Sequence, residues 1–263
     1  MRINNNITAI NSHRQYTINN GSIGKNVEKL SSGFRVNRAG DDAAGLAISE
    51  KMRTQIRGLN MASKNSQDGI SLVQTAEGAM QVAHNIMQRM RELAVQARNG
   101  TNDTTVDKPA LQLEYDQLTQ EITQIAQTVK FNDMTVFGLE FTIQSGANAI
   151  DITTFSVSSL SGPSGDISTE TGAAAAMDLL TTEINNLSTN RAILGAIQNR
   201  LEFKIQNLDN SAENLQAAES RIRDVDMAKM MTEFTKNNIL FQASTSMLAQ
   251  ANALPQSVLQ LLG

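Results

Sequence analysis

The chain has 263 residues, 40% of them apolar but only 4% aromatic, with no Cys, no Trp and a net charge of −4. That size and apolar share suffice for a core, and the bias to Ala, Leu, Ile, Met and Gln is the composition of long helices and coiled coils. The lack of Cys excludes disulfides, thiolate metal sites and Cys nucleophiles, and no apolar run approaches the roughly 20 residues that span a bilayer.

Residues 1–20 have no apolar core followed by a small-residue cleavage site, so no cleaved secretory signal is expected. Residues 1–40 carry six basic side chains against Glu28 alone, whereas residues 101–190 carry twelve acidic ones against Lys108 and Lys130. The basic charges are spread along the chain without an aromatic stacking set, so no nucleic-acid partner is expected. The first 60 and last 50 residues are amide-rich and patterned for helix, with only three prolines in the whole sequence.

From Leu46 to Arg98 only isolated glycines oppose a helix. Val73, Ala76, Met80, Ala83, Met87, Met90, Ala94 and Ala97 step 3,4,3,4,3,4,3, the coiled-coil period. Asp41 and Asp42 are placed to cap its start, and Asn99-Gly100 to stop it. Asp107 is placed to cap a shorter helix, with Pro109 in its first turn, running to about Val129. Over 138–155 the period changes to two. Phe141/Ile143 and Ile150/Ile152 alternate with polar residues around Ser145-Gly146-Ala147-Asn148, which predicts one β-hairpin. Residues 156–171 are rich in Ser, Gly and Pro and predict a surface loop that tolerates short insertions.

A second long helix is expected from about Thr171. Its seam is Leu180, Ile184, Leu187, Arg191, Leu194, Gln198, Leu201, Ile205, Leu208, Ala212, Leu215, Glu219 and Ile222, with ten of thirteen positions apolar. The polar exceptions are expected to fix register. Helical pattern continues through 225–253 towards Leu262, with Pro255 as its interruption. Two heptad segments on either side of a hairpin predict a mainly α fold: an elongated antiparallel bundle in which the chain runs out, turns and returns.

No catalytic constellation emerges. Asp41-Asp42 reads as capping rather than acid–base chemistry, the Met80/Met87/Met90 spacing reads as core, and His13 and His84 are too far apart to suggest a metal pair. No enzyme activity, cofactor or metal is expected.

Several long motifs occur in order. Ser31-Ser32-Gly33-Phe34-Arg35-Val36-Asn37 leads into Asp41-Asp42-Ala43-Ala44-Gly45-Leu46-Ala47-Ile48-Ser49. Gln88-Arg89-Met90-Arg91-Glu92-Leu93-Ala94-Val95-Gln96 follows. Ala218-Glu219-Ser220-Arg221-Ile222-Arg223-Asp224-Val225-Asp226 opens the C-terminal part, which runs through Gln250-Ala251-Asn252 to Pro255-Gln256-Ser257-Val258-Leu259-Gln260-Leu261-Leu262. This set closely resembles bacterial flagellins over residues 1–155 and 172–263.

The resemblance implies an extracellular subunit that polymerises into the flagellar filament; a related hook–filament junction or minor filament component is the alternative. It implies that 1–40 with 223–263 form the filament's inner tube and 41–138 with 172–222 its outer tube. Residues 139–171 would supply a hairpin and short variable loop, with no separate outer domain. Implied partners are other copies of the chain, the flagellar export apparatus, a C-terminal secretion chaperone, filament cap and hook-junction proteins, and the flagellin-sensing Toll-like receptor of animals, but no membrane. Arg89, Leu93 and Glu114 are the matching positions for axial packing and receptor contact. The apolar rows Ile3, Ile7 and Ile10, and Met227, Met230, Phe234, Phe241, Met247 and Leu248, are the expected assembly surface. Ordering costs about 1–2 kcal/mol per residue, so lone ends are expected to stay loose until partners cover them.

Overall fold

The computed structural model describes residues 6–103, 105–148 and 151–262, the side chains of 254–262 excepted. Five helices and two small antiparallel hairpins occur among them. The helices are α1 (Ile7–Ser32), α2 (Ala43–Arg98), α3 (Asp107–Thr128), α4 (Glu170–Arg223) and α5 (Met227–Leu262). The strands are β1 (Lys130–Phe131), β2 (Met134–Thr135), β3 (Glu140–Gln144) and β4 (Ile152–Ser156). The chain divides into two compact units, one of residues 1–54 with 214–263 and one of 55–213. The division falls inside α2 and α4.

The 55–213 unit is built on α2. All eight residues of its predicted seam are buried, from Val73 to Ala97. The seam also extends backwards through Ala62, Ser66 and Gly69 in steps of 4, 3 and 4. Ser66 can sit there because its hydroxyl donates to the Ala62 carbonyl of its own helix at 2.8 Å. Many other helical Ser and Thr residues do the same, Thr75 to Ser71 and Thr119 to Tyr115 among them. That satisfies hydroxyls that would otherwise compete with helix.

The α4 helix runs antiparallel to this part of α2. Arg191 lies opposite Glu77 at 3.5 Å, and Leu201 lies against the backbone at Gly69, so the partner numbers have a nearly constant sum. From Leu180 to Leu208 one residue per heptad of the α4 seam is buried, namely Leu180, Leu187, Leu194, Leu201 and Leu208, and Ala212 follows them. Ile184, Arg191, Gln198 and Ile205 lie at the rim. The expectation that the polar seam residues fix register holds for Arg191, which meets Glu77 across the pair. It fails for Gln198, whose amide donates to Glu202 of its own helix at 3.0 Å.

The hairpin β3–β4 lies against the earlier part of α2, at Gly58, Asn65 and Gly69. Asn65 Nδ2 donates to the Gln144 carbonyl at 3.2 Å, Gly58 faces Ala147, and Gly69 faces Ile143. A Cβ at Gly69 would collide with the Ile143 side chain, so glycine gives the strand room. The register pairs Phe141 with Phe155 and Ile143 with Thr153. The inward residues of β4 are therefore Thr153 and Phe155, while Ile152 is exposed. The inward set of β4 is thus one residue out of step with the apolar alternation at Ile152, and a one-residue step moves every side chain to the other face. Ile150 lies outside the described residues. Ser145 and Thr153 share a buried hydroxyl hydrogen bond that makes a polar inward position acceptable.

Three local features differ from the sequence expectations. Asp42 caps α2 as expected, accepting from Gly45 N–H at 2.8 Å, but Asp41 instead accepts from Asn37 and Arg38 N–H and folds the preceding turn. Asp107 is the first residue of α3 rather than its cap, and its carboxylate reaches back to Asp103 N–H. Between α3 and β3 a short hairpin, β1–β2, turns at Asn132 and Asp133 with φ of 49° and 63°, the left-handed pair that a two-residue turn requires.

The Ser/Gly/Pro-rich segment after β4 is a packed strap, not a free loop. Val157 and Ile167 are buried. Gln112 of α3 grips the strap at two points: its Nε2 donates to the Gly165 carbonyl at 3.1 Å and its Oε1 accepts from Ile167 N–H at 2.6 Å. The Tyr115 hydroxyl and Thr119 both donate to the Pro163 carbonyl. Burial, with the charge of Asp116 as a lesser cause, pushes the Tyr115 phenol up to about 12. Gly162 passes so close to the Thr119 carbonyl that any Cβ would clash with backbone.

Two outcomes are expected from this packing. Leu201→Asp should lower stability by about 3–5 kcal/mol, since it leaves an unpaired charge in the seam, whereas Ile205→Asp at the rim should cost much less; thermal melting of the two variants checks the order. A short insertion after Gly162 should lower the melting temperature clearly, while one between the exposed Ser158 and Ser159 should leave it near that of the parent chain.

Candidate assembly surface

The 1–54/214–263 unit holds the two terminal helices. Asn6 caps α1, accepting from Ala9 N–H at 3.1 Å. Its amide also donates to the Ala251 carbonyl at 2.7 Å. Tyr16 stacks on Phe241 with ring centroids 4.8 Å apart, and Asn19 Nδ2 donates to Ser244 Oγ at 3.0 Å. The pair is therefore antiparallel. The described parts of the two ends are helices paired with each other. Helical pattern is not continuous into α5. It breaks at Asp224–Asp226, where Asp226 accepts from Lys229 N–H and caps α5.

That break forms a joint with the end of α1. Gly33 adopts φ 74° and closes α1 in the left-handed conformation that favours glycine. Phe34 bridges to Asp224, Arg35 N–H donates to the Arg223 carbonyl at 2.7 Å, and Val225 N–H returns to the Gly33 carbonyl at 3.0 Å. The Arg223 guanidinium lies 4.7 Å over the Phe34 ring and pairs with Glu50 at 2.7 Å. Arg35 donates to the Ile222 carbonyl. Arg38 and Asn37 both donate to Glu28. Val36 is buried beneath. The Arg223 hydrogen bond holds the Glu50 carboxyl below the usual range, with Arg53 assisting, and the Arg38 and Asn37 amides do the same for Asp41.

The pair leaves much apolar surface uncovered. Ile7, Ile10, Met227 and Met247 of the predicted rows are exposed, Ile10 at 63% and Met247 at 57%. Met230, Phe234, Phe241 and Leu248 are half-buried. Ile3 lies outside the described residues. Ile18, Met231, Ile239 and Leu240 are also exposed, and a single apolar stripe does not find them. Their signal was the run of adjacent apolar residues at 230–231, 239–241 and 247–248, which puts apolar groups around most of α5; a helix apolar on all sides belongs in an interior. Between the helices runs an open groove of about 360 Å³ lined by Asn11, Gln15, Asn19, Leu240 and Met247.

In the 55–213 unit, Arg89 and Glu114 come together from α2 and α3. Arg89 Nε donates to Glu114 at 3.0 Å and Nη1 to Glu92 at 3.1 Å. Glu114 first and Glu92 second hold the guanidinium pKa above its usual value. Both ends of the pair are exposed. Leu93 is not: at 1% exposure it is part of the core and supports the patch from below. Among the described residues no His, Asp and Glu cluster is arranged for a metal ion, and no helix is long and apolar enough to cross a membrane.

The family description of the bacterial flagellin N-terminal helical region matches residues 3–142, and that of the C-terminal helical region matches residues 177–262. The chain belongs to the bacterial flagellin family. It is 56% identical to a flagellin of Halalkalibacterium halodurans and 50% identical to one of Bacillus subtilis, in both cases over all of each chain. A flagellar filament 33 kDa core protein of Treponema phagedenis is 46% identical, again over the full length of both. The crystal structure of Bacillus cereus flagellin, 31% identical, superposes with a TM-score of 0.51 over 59% of this chain and 94% of that one.

This flagellin is thus a structural subunit of the bacterial flagellar filament, which lies outside the cell and grows by self-association. Nothing favours the junction component considered from sequence.

The joint gives the expected acid response. Carboxyls held low stabilise the fold at neutral pH, and that contribution is lost as pH falls through the usual carboxylate range to the lowered folded values. The effect should be modest, because Glu50 is largely exposed. Arg223→Ala should melt at lower temperature at neutral pH yet lose less on acidification than the parent chain; melting curves across an acid series measure both.

Proposed function

We propose that α1 and α5 are the surfaces that neighbouring subunits cover in the filament, and that they form its inner layer. Residues 1–40 with 223–263 make up that layer, residues 41–138 with 172–222 an outer helical layer, and 139–171 a surface hairpin with its strap. The observation that carries the reading is the exposed apolar surface of the terminal pair. Isolated exposed apolar residues are ordinary, but rows on several sides of two paired helices mark an interaction surface. Contacts between unlike patches on identical subunits give an open helical polymer when they do not close a ring.

The same surface has consequences before assembly. An apolar α5 is a ligand for a groove in another helical protein, which supports a dedicated chaperone over roughly residues 225–263. The chaperone keeps the subunit monomeric until the flagellar export apparatus takes it, without cleavage, towards the filament cap. On the 55–213 unit, Arg89 and Glu114 present an exposed charged pair for axial packing and for the flagellin-sensing Toll-like receptor of animals. Leu93 acts there by setting the position of α2 beneath them.

Ile10→Asp and Met247→Asp test the assembly surface. Both side chains are already in water, so monomer stability should change by no more than about 0.5 kcal/mol. Elongation of filament seeds should nevertheless be lost, as it should on removing residues 1–35 or 228–263. Seeded growth at the parent rate by both point variants would show that these rows are not assembly contacts.

A further inference from the structure

Two Asn-Gly dipeptides occur in the described chain, at 20–21 and 99–100, and the structure places them in opposite settings. Asn20 and Gly21 lie inside α1. Asn99 and Gly100 follow the last residue of α2, and both are exposed. Nothing lies within 4 Å of where a Cβ on Gly100 would stand, so that backbone is open to rearrangement. The Asn99 carboxamide is held only loosely, through a 3.4 Å hydrogen bond that its oxygen accepts from Thr101 N–H.

We propose that Asn99–Gly100 is a site of spontaneous deamidation, and that helix α1 protects the same dipeptide at Asn20–Gly21. The Gly100 amide nitrogen attacks Cγ of Asn99. A new N–Cγ bond forms, the Cγ–Nδ2 bond breaks, and ammonia departs with the proton lost from the Gly100 nitrogen. Water then opens the five-membered imide at one carbonyl or the other, giving aspartate or isoaspartate. The reaction needs water alone, with no oxidant, metal or enzyme. Ring closure requires the peptide between the two residues to rotate out of helical geometry. A glycine beyond a helix end does this readily, whereas one inside α1 must first break the helix.

The product matters for the α2–α3 turn. A new carboxylate at position 99 stands at the negative end of the α2 macrodipole, in the turn that leads to Asp103 and Asp107. Isoaspartate also reroutes the backbone through Cβ and Cγ, which adds a methylene to the chain and turns the Asn99 carbonyl that accepts the Asn102 N–H at 3.3 Å into a free carboxylate. The turn at 99–102 is thereby loosened next to Ala97, the last core residue of α2.

The test is peptide mapping by mass spectrometry, with separation of aspartate from isoaspartate, on the full-length chain incubated native and in urea. In urea the two sites should react at similar rates. In the native chain Asn99 should keep its rate to within a few-fold, while Asn20 slows by roughly tenfold or more. Gly100→Ala should slow Asn99 by about tenfold, because a Cβ narrows the conformations that ring closure needs. Asn99→Ser should remove the product from that peptide. Native Asn99 slowed as much as Asn20, or native Asn20 reacting as fast as in urea, would overturn the assignment.

Discussion

Helix α5 carries more apolar surface than α1 can cover. One helix packed against one other can bury a single stripe, and α5 has apolar residues on most of its circumference. The sequence therefore specifies a subunit that is not self-sufficient, in which the folded chain leaves a surface that only further protein can bury. The polar contacts of the pair, from Asn6 and Asn19, fix how α1 and α5 meet without reducing that surplus. The affinity of the family for its own copies is visible here as an arithmetic mismatch between two helices.

The 55–213 unit is the contrary case. There α2 has a partner on each working face. Its heptad seam is buried by α3, α4 and the residues after β4, and its earlier part receives the hairpin. Glycines at 58 and 69 let the hairpin come close to the helix, and the larger Leu and Met side chains fill the core beyond. The strap over α3 completes the core by supplying Val157 and Ile167 from a segment whose composition reads as open loop. Gln112 makes this possible, because its one amide satisfies both a carbonyl and an N–H of a backbone that has no ladder of its own.

The long elements were legible because period is a strong signal. The α2 seam was read residue by residue, and so was the pairing of the two long heptad segments. The turn-back was expected at the hairpin, yet β3–β4 lies beside residues 58–69 of α2, and α4 begins opposite the other end of that helix, after the strap. What escaped reading depends on partners distant in sequence. The α4 seam shows two apolar positions per heptad, yet which is core and which is rim depends on where α2 lies. The facing of β4 depends on register, and Thr153 is inward only because Ser145 answers its hydroxyl. Asp41 looks like a cap by position, but two free amides of the preceding turn claim it first. On the exposed apolar surface of the terminal pair, Ile10 and Met247 could be picked from their stripes, whereas Met231, Ile239 and Leu240 lie off any one stripe. Leu93 matched a motif and proved to be core, because a motif records residue type and not depth.

Four of the hydrogen bonds that tie distant parts of this chain together are nested. Arg89 and Glu114 span 25 residues, Arg191 and Glu77 span 114, Arg35 and Ile222 span 187, and Asn6 and Ala251 span 245. Each of these contacts lies wholly inside the next. Closing the outermost loop directly would carry the full entropy of a flexible chain of that length, whereas closing it after the inner ones leaves only two short tails to bring together. The chain thus behaves as a zipper fastened from its midpoint, in which the two terminal helices are the last teeth to engage and the first to part.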